Sequence, residues 1–239
     1  ASALLVVTTV LPRAPKQQTA GQGVYSKTTR GDRFYLPTPR LRGLLALTLA
    51  SAAASSMVIV NTVVIVRDKL GLGQQEVALT LAAFGAGSIL AAFTLPRILD
   101  RVSDRVIMLM SGAMLAWLLA IMAVVTYWIG GHSSYWYALL AGWFAMGVAY
   151  SMSVTPSGRL LKRSAKAEDR PALFAAQFAL SHGCWLICYP LAGQLGAGGD
   201  QILAFVVLSV LAHAGVIGAR FLWPAEDPDI LAHSHPDLP

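Results

Sequence analysis

Residues Gly43–Val66 read GLLALTLASAAASSMVIVNTVVIV, a run without one Asp, Glu, Lys or Arg. Wound as a helix at about 1.5 Å per residue, it spans the roughly 30 Å hydrocarbon core of a bilayer. A helix is the required form, because a lone segment in lipid has to satisfy its own backbone N–H and C=O groups. Five more charge-free windows follow, Val77–Leu95, Val106–Trp128, Tyr135–Thr155, Ala172–Leu195 and Ile202–Ala219. The expected fold class is all-α: a polytopic membrane protein with a six-transmembrane-helix bundle.

Composition agrees. The 239 residues are 56% hydrophobic and 13% charged, about half the charge of a soluble domain, and the mean hydropathy is +0.59. Soluble enzymes, nucleic-acid binders and secreted disulfide scaffolds are excluded. Cys184 and Cys188 lie one helical turn apart in an apolar window, a spacing that does not suit a structural disulfide.

The net charge of +6 records topology. Seven cations precede the first window, three lie between the second and third, five between the fourth and fifth, and Arg220 follows the sixth. The alternate side holds only Arg67 and Lys69. By the positive-inside rule, the first segment, both basic loops and the C-terminus are cytoplasmic. No nucleic-acid partner is implied; the partner is the lipid bilayer.

Around the windows, residues 1–11 are apolar but reach only about 17 Å, and read as the end of a preceding transmembrane helix. Residues 12–42, with four prolines and seven cations, read as a cytoplasmic interdomain linker, with a short interfacial helix or turn near Phe34–Leu36. Residues 43–223 form the bundle, and the polar residues 224–239 a cytoplasmic tail.

The loop after the second window, LPRILDRVSDR (Leu95–Arg105), resembles motif A of the major facilitator superfamily, Gly-x-x-x-Asp-Arg/Lys-x-Gly-x-Arg/Lys. Asp100, Arg101 and Arg105 match, whereas Pro96 and Ser103 replace the two glycines. The resemblance implies the C-terminal six-helix half of such a transporter, made of two inverted three-helix repeats, with an N-terminal six-helix half as partner. VRDKLGLG (Val66–Gly73), RLLKRSAKAEDRPALFAAQFALSHGCW (Arg159–Trp185) and the His-bearing tail resemble bacterial efflux members, including the nickel-resistance type. That implies a secondary transporter in the bacterial inner membrane, exporting a small solute by alternating access. Proton coupling, and nickel, cobalt or iron as cargo, stand beside export of a drug, siderophore or metabolite.

A carboxylate at a helix end pairs with arginine or with the positive start of another helix. Asp100 is therefore expected to dock on the fifth span, which begins Asp169-Arg170-Pro171, and on Arg163 or Arg170. With Arg101 and Arg105 these residues form the expected conformational lock. The alternative is a solvated loop whose exposed pairs contribute little.

Polar residues inside spans are the candidate substrate contacts. Thr48, Ser51, Ser55 and Thr62 share a stripe about 60° wide on the first span, with Asn61 at its flank. Trp143, Met146, Tyr150 and Ser153 share a stripe on the fourth, suited to an apolar or cationic solute or to core packing. On the fifth span Gln177 shares a face with Phe174, Ser181, Cys184 and Cys188, and His182 shares the other with Phe178, Trp185 and Tyr189. Imidazole carries protons or binds metal near neutral pH, but His182 and the cysteines point to different faces. No carboxylate lies inside the six windows, so coupling through Asp or Glu falls to the other half.

His233 and His235, near Glu226, Asp227, Asp229 and Asp237, are candidate metal ligands in a tail that has no preformed site. No cofactor is implied, and no enzyme. A rhomboid-type intramembrane protease would need Ser157 and His213 to meet, yet one sits at a span end and the other deep in its span. Nothing resembling a selectivity filter or charged ring is present.

Overall fold

The structure, a computed structural model, describes residues 30–225. A short helix α1 (Arg30–Tyr35) leads into α2 (Pro39–Val63), which continues as a π-helical segment, Val64–Lys69. There follow α3 (Gln74–Leu99), α4 (Asp104–Ile129), α5 (Tyr135–Val154), α6 (Ser157–Ser164), α7 (Arg170–Ala197) and α8 (Gln201–Leu222). Six helices among the described residues are long and apolar enough to cross a membrane. Residues 1–11, most of the linker, and His233 and His235 lie outside the described residues.

Local chemistry sets the helix ends. Thr38 is extended at the start of α2 and Pro39 opens the first turn, where a missing N–H costs nothing. Asp104 lies in the first turn of α4, where its charge meets the positive end of the helix dipole. The Asp200 carboxylate accepts from Leu203 N at 2.8 Å to cap α8. The short helix or turn expected near Phe34–Leu36 corresponds to α1, just before it in the chain. Residues 30–35 are helical, with Tyr35 buried and Phe34 and Leu36 exposed beside it. The chain leaves α5 through the turn at Thr155-Pro156, so α6 is a separate helix at the basic end.

The packing repeats itself. α3 packs on α5 and α7 on α2; α8 packs on α2 and α4 on α5; α4 and α8 meet each other. Exchanging α2–α3–α4 for α5–α7–α8 maps this set of pairs onto itself, as two inverted three-helix repeats require. Between lipid-soluble helices the cohesion comes from close packing rather than from hydrophobic burial. The core supplies it with Trp143, Met146, Phe205, Leu208, Leu115 and Leu119, all fully buried.

The equivalent pairs differ in fit. A Cβ on Gly87 of α3 would overlap Phe144 O of α5, and one on Gly147 of α5 would overlap Phe84 O of α3. The two backbones therefore touch, and Ser88 Oγ donates to Gly147 O at 3.1 Å across the contact. In the other pair, 72% of the apolar stretch of the first span is buried but only 17% of that of α7.

Candidate functional site

Between α2, α5 and α7, toward the end that carries the basic loops, lies a cavity of about 300 Å³. α2 contributes Thr48 and Ser51, α5 contributes Tyr150 and Ser153, and α7 contributes Gln177 and Trp185. Met108 of α4 and Gly158 and Leu161 of α6 close its basic end. Ser51 and Ser153 hydroxyls meet at 3.0 Å across α2 and α5. Gln177 Nε2 donates to Thr48 Oγ1 at 3.4 Å, and its Oε1 accepts a short hydrogen bond from the Tyr35 hydroxyl. α1 is thus fastened to the cavity wall. A Cβ on Gly31 would overlap Ala172 O, so the two helices are in backbone contact. Burial holds the Tyr35 phenol well above its ordinary pKa of 10.0.

The structure divides the residues singled out from sequence. Ser51, Tyr150 and Gln177 line the cavity. Ser55 is buried, its hydroxyl donating to Ser51 O at 2.6 Å. Trp143 and Met146 are fully buried in the core, so that stripe divides along its length: its first half packs and its second half faces the cavity. Thr62 accepts from Trp143 Nε1 at 2.8 Å and belongs to the same core. Asn61 is buried near the opposite end, donating to Ala192 O at 3.0 Å. His182 is outside the lining: its ring stacks on Phe178 at 4.0 Å and its Nδ1 donates to Phe178 O at 2.7 Å. That bond engages Nδ1 only, and the ring lies on an exposed face of α7.

The lock residues are also rearranged. Asp100 lies exposed at the C-cap of α3 and Arg101 is exposed beside it. The carboxylate that meets the arginines is Asp104, four residues on. Its side chain is 2% exposed, and Arg159 Nε reaches its two oxygens at 3.1 and 3.2 Å. Arg163, 15% exposed, adds a contact at 3.9 Å. The expected docking of Asp100 on Arg163 or Arg170 is therefore replaced, in this arrangement, by Asp104 between α4 and α6. Arg170 Nε instead donates to Lys162 O and Ala165 O, at 3.2 and 3.3 Å, joining the end of α6 to the start of α7. Arg105 donates from Nε and Nη2 to Trp223 O at 3.1 and 3.0 Å. Asp104 was legible only as a helix-start acid after Ser103; its partners depend on where α6 crosses.

Among the described residues no group of three His, Cys, Asp or Glu is placed to hold a metal ion. Ser157 and His213 are engaged separately. Ser157 Oγ donates to Val154 O at 2.6 Å, whereas His213 donates to Ser209 O at 2.9 Å and sets its ring edge-on to Trp117.

Six apolar helices in two inverted repeats, with a polar-and-aromatic cavity between α2, α5 and α7, define a multi-pass membrane protein. The model of the Major Facilitator Superfamily matches residues 44–236. The chain belongs to that superfamily and is a membrane transporter. No curated protein and no solved structure matched it.

Proposed function

We propose that the chain is the C-terminal half of a secondary transporter that exports a small organic solute by alternating access against an N-terminal six-helix half. The observation that carries this reading is the cavity lining. Hydroxyls of Thr48, Ser51 and Ser153, the Gln177 amide, and the rings of Tyr150, Phe174, Phe178 and Trp185 surround it. Such walls suit a neutral or cationic aromatic compound through dispersion, cation–π contact and a few hydrogen bonds. A divalent metal ion requires anionic or imidazole ligands, and the lining residues supply none. The organic cargo is therefore favoured over nickel, cobalt or iron.

The cation-rich loops beside the cavity mouth support, by the positive-inside rule, a reading in which it opens to the cytoplasmic side of a bacterial inner membrane, where an exporter collects its load. The sparse burial of α7 leaves its exposed face for the partner half. The export direction rests on the resemblance to efflux proteins. Proton coupling would draw on the partner half, or on His182 Nε2 where α7 meets it.

The test is a strain lacking this transporter, complemented with wild type, Tyr150→Ala or Gln177→Ala. It is challenged with lipophilic aromatic cations, with siderophores, and with nickel, cobalt and iron salts. Wild type should restore tolerance to an organic compound, and both variants should lose at least about tenfold of that protection. Restored metal tolerance with no organic phenotype would overturn the reading.

A further inference from the structure

The hydroxyls around the cavity are turned the same way. Thr48 Oγ1 donates to Leu44 O at 2.9 Å, Ser51 Oγ to Leu47 O at 3.2 Å, Ser157 Oγ to Val154 O at 2.6 Å and Ser181 Oγ to Phe178 O at 2.8 Å. All four residues line the cavity, and each has spent its single hydrogen on a backbone carbonyl three or four residues earlier. With the Ser51 hydrogen on Leu47 O, Ser153 is the donor in the 3.0 Å bond between the two serines. Gln177 is fixed by the same logic. Thr48 has no hydrogen left, so the amide turns Nε2 toward it and Oε1 toward the Tyr35 hydroxyl. What these five hydroxyls keep for a solute is oxygen lone pairs. The remaining side-chain donors of the lining are one Gln177 N–H, the Trp185 indole N–H and the Tyr150 hydroxyl, which also accepts.

The α7 side of the cavity is aromatic. It presents Phe174, Phe178 and Trp185, and ring faces attract cations. Nearby charges do not reverse that preference. No charged side chain lines the cavity. Asp104, one turn before Met108, is taken by Arg159 and Arg163. Lys162, Lys166 and Arg170 are exposed to solvent, where salt screens them beyond about 10 Å. The end of α5 at Val154 and the start of α6 at Ser157 both border the lining, so their opposite poles offset each other. A positive group carrying several N–H donors complements the lone pairs and the rings together. Resting on the reading of this cavity as the cargo site, we propose that the cargo is a protonated primary arylalkylamine. Its ammonium hydrogens lie on the Thr48, Ser51 and Ser153 oxygens and its ring lies against α7. An anion would meet lone pairs, and a quaternary ammonium would satisfy the rings but leave the hydroxyl oxygens unpaired.

Binding is measured by equilibrium dialysis on the purified full-length transporter in lipid nanodiscs, against empty nanodiscs, near neutral pH. The probes are four indoles that differ only at the end of the side chain: tryptamine, N,N,N-trimethyltryptammonium, tryptophol and indole-3-propionate. Tryptamine should bind at least about tenfold more tightly than each of the others. The double variant Thr48→Val with Ser153→Ala should bring tryptamine and its quaternary form to within about twofold of each other. Trp185→Leu should instead weaken both cations alike, by about fivefold or more. Each ratio is taken within one preparation, so a loss of folded protein does not move it. Equal binding of tryptamine and the quaternary form to wild type, tighter binding of the alcohol or the anion, or no binding of tryptamine overturns the proposal. So does a ratio left unchanged in the double variant. Tolerance to an organic compound in the complemented strain, without a preference for tryptamine, sinks the amine alone; metal tolerance with no organic phenotype sinks both readings.

Discussion

The bundle contains the same helix pairing twice, built to opposite ends. Where α3 meets α5, glycines stand at the crossing, the backbones touch, and no solute-sized space remains. Where α2 meets α7, Thr48 and Gln177 stand between the helices, hold them apart through a 3.4 Å hydrogen bond, and border a cavity of about 300 Å³. One architecture thus gives a rigid seam or a solute-sized cleft, according to whether a few facing positions are glycine or polar. In lipid, where helices gain little from hydrophobic burial, that choice falls to shape and hydrogen bonding alone.

The sharpest way to break the contrast is to fill the seam. Gly87→Leu should cost about 3 kcal/mol or more by forcing two backbones apart, seen as loss of folded, monodisperse protein. Gly85→Ala, two residues away where a Cβ meets nothing within 4 Å, should leave stability unchanged or raise it by up to about 1 kcal/mol. Equal damage from both would mean that the crossing glycine has no special part.

Next in size is the ion cluster that ties α6, the continuation of the rigid pair, to α4. Asp104→Asn should lower stability by about 2 kcal/mol, because Arg159 and Arg163 lose a charged acceptor, and should slow transport with normal membrane insertion. Asp100→Asn, altering an exposed residue, should stay within about 0.5 kcal/mol. Unchanged turnover in Asp100→Asn together with a defect in Asp104→Asn would assign the lock to Asp104. The reverse result would return it to Asp100.

A smaller effect is expected on the open pair. Tyr35→Phe removes the hydroxyl that Gln177 accepts from and should weaken the docking of α1 by about 1 kcal/mol, read as faster proteolysis at Arg33. The phenol is also a pH probe. Its pKa is raised in the folded state, so its contribution is complete below pH 10, the ordinary value. It declines only above that pH, as the released phenol ionises and the buried one does not. Protection of Arg33 in wild type should therefore be flat from neutral pH to about pH 9. The alkaline loss should be absent from Tyr35→Phe.

Much of this was legible in the sequence, for a definite reason. Charge-free length fixes the spans, and the cation asymmetry separates their two ends. The hundred-degree step also grouped Ser51, Tyr150 and Gln177 on polar or aromatic stripes, without saying whether those stripes pack or, as the structure has it, border a cavity. What periodicity does not carry is depth. Trp143 and Ser153 share one stripe yet lie about 15 Å apart along the axis, so one is sealed in the core and the other faces the cavity. Nor does it carry the identity of a neighbour across a turn. Asp100 matches the motif, but the break at Thr155-Pro156 swings α6 so that Arg159 and Arg163 meet Asp104 instead.

The clamp of Arg105 on Trp223 O has a practical side. Trp223 is fully buried, and a Cβ on Gly43 would come within 2.7 Å of its own Cβ, so one residue at the end of α8 fastens the starts of both α2 and α4. A reporter domain or affinity tag joined after Pro239 leaves this fastening in place. A fusion junction placed before Trp223 would remove the fastening itself.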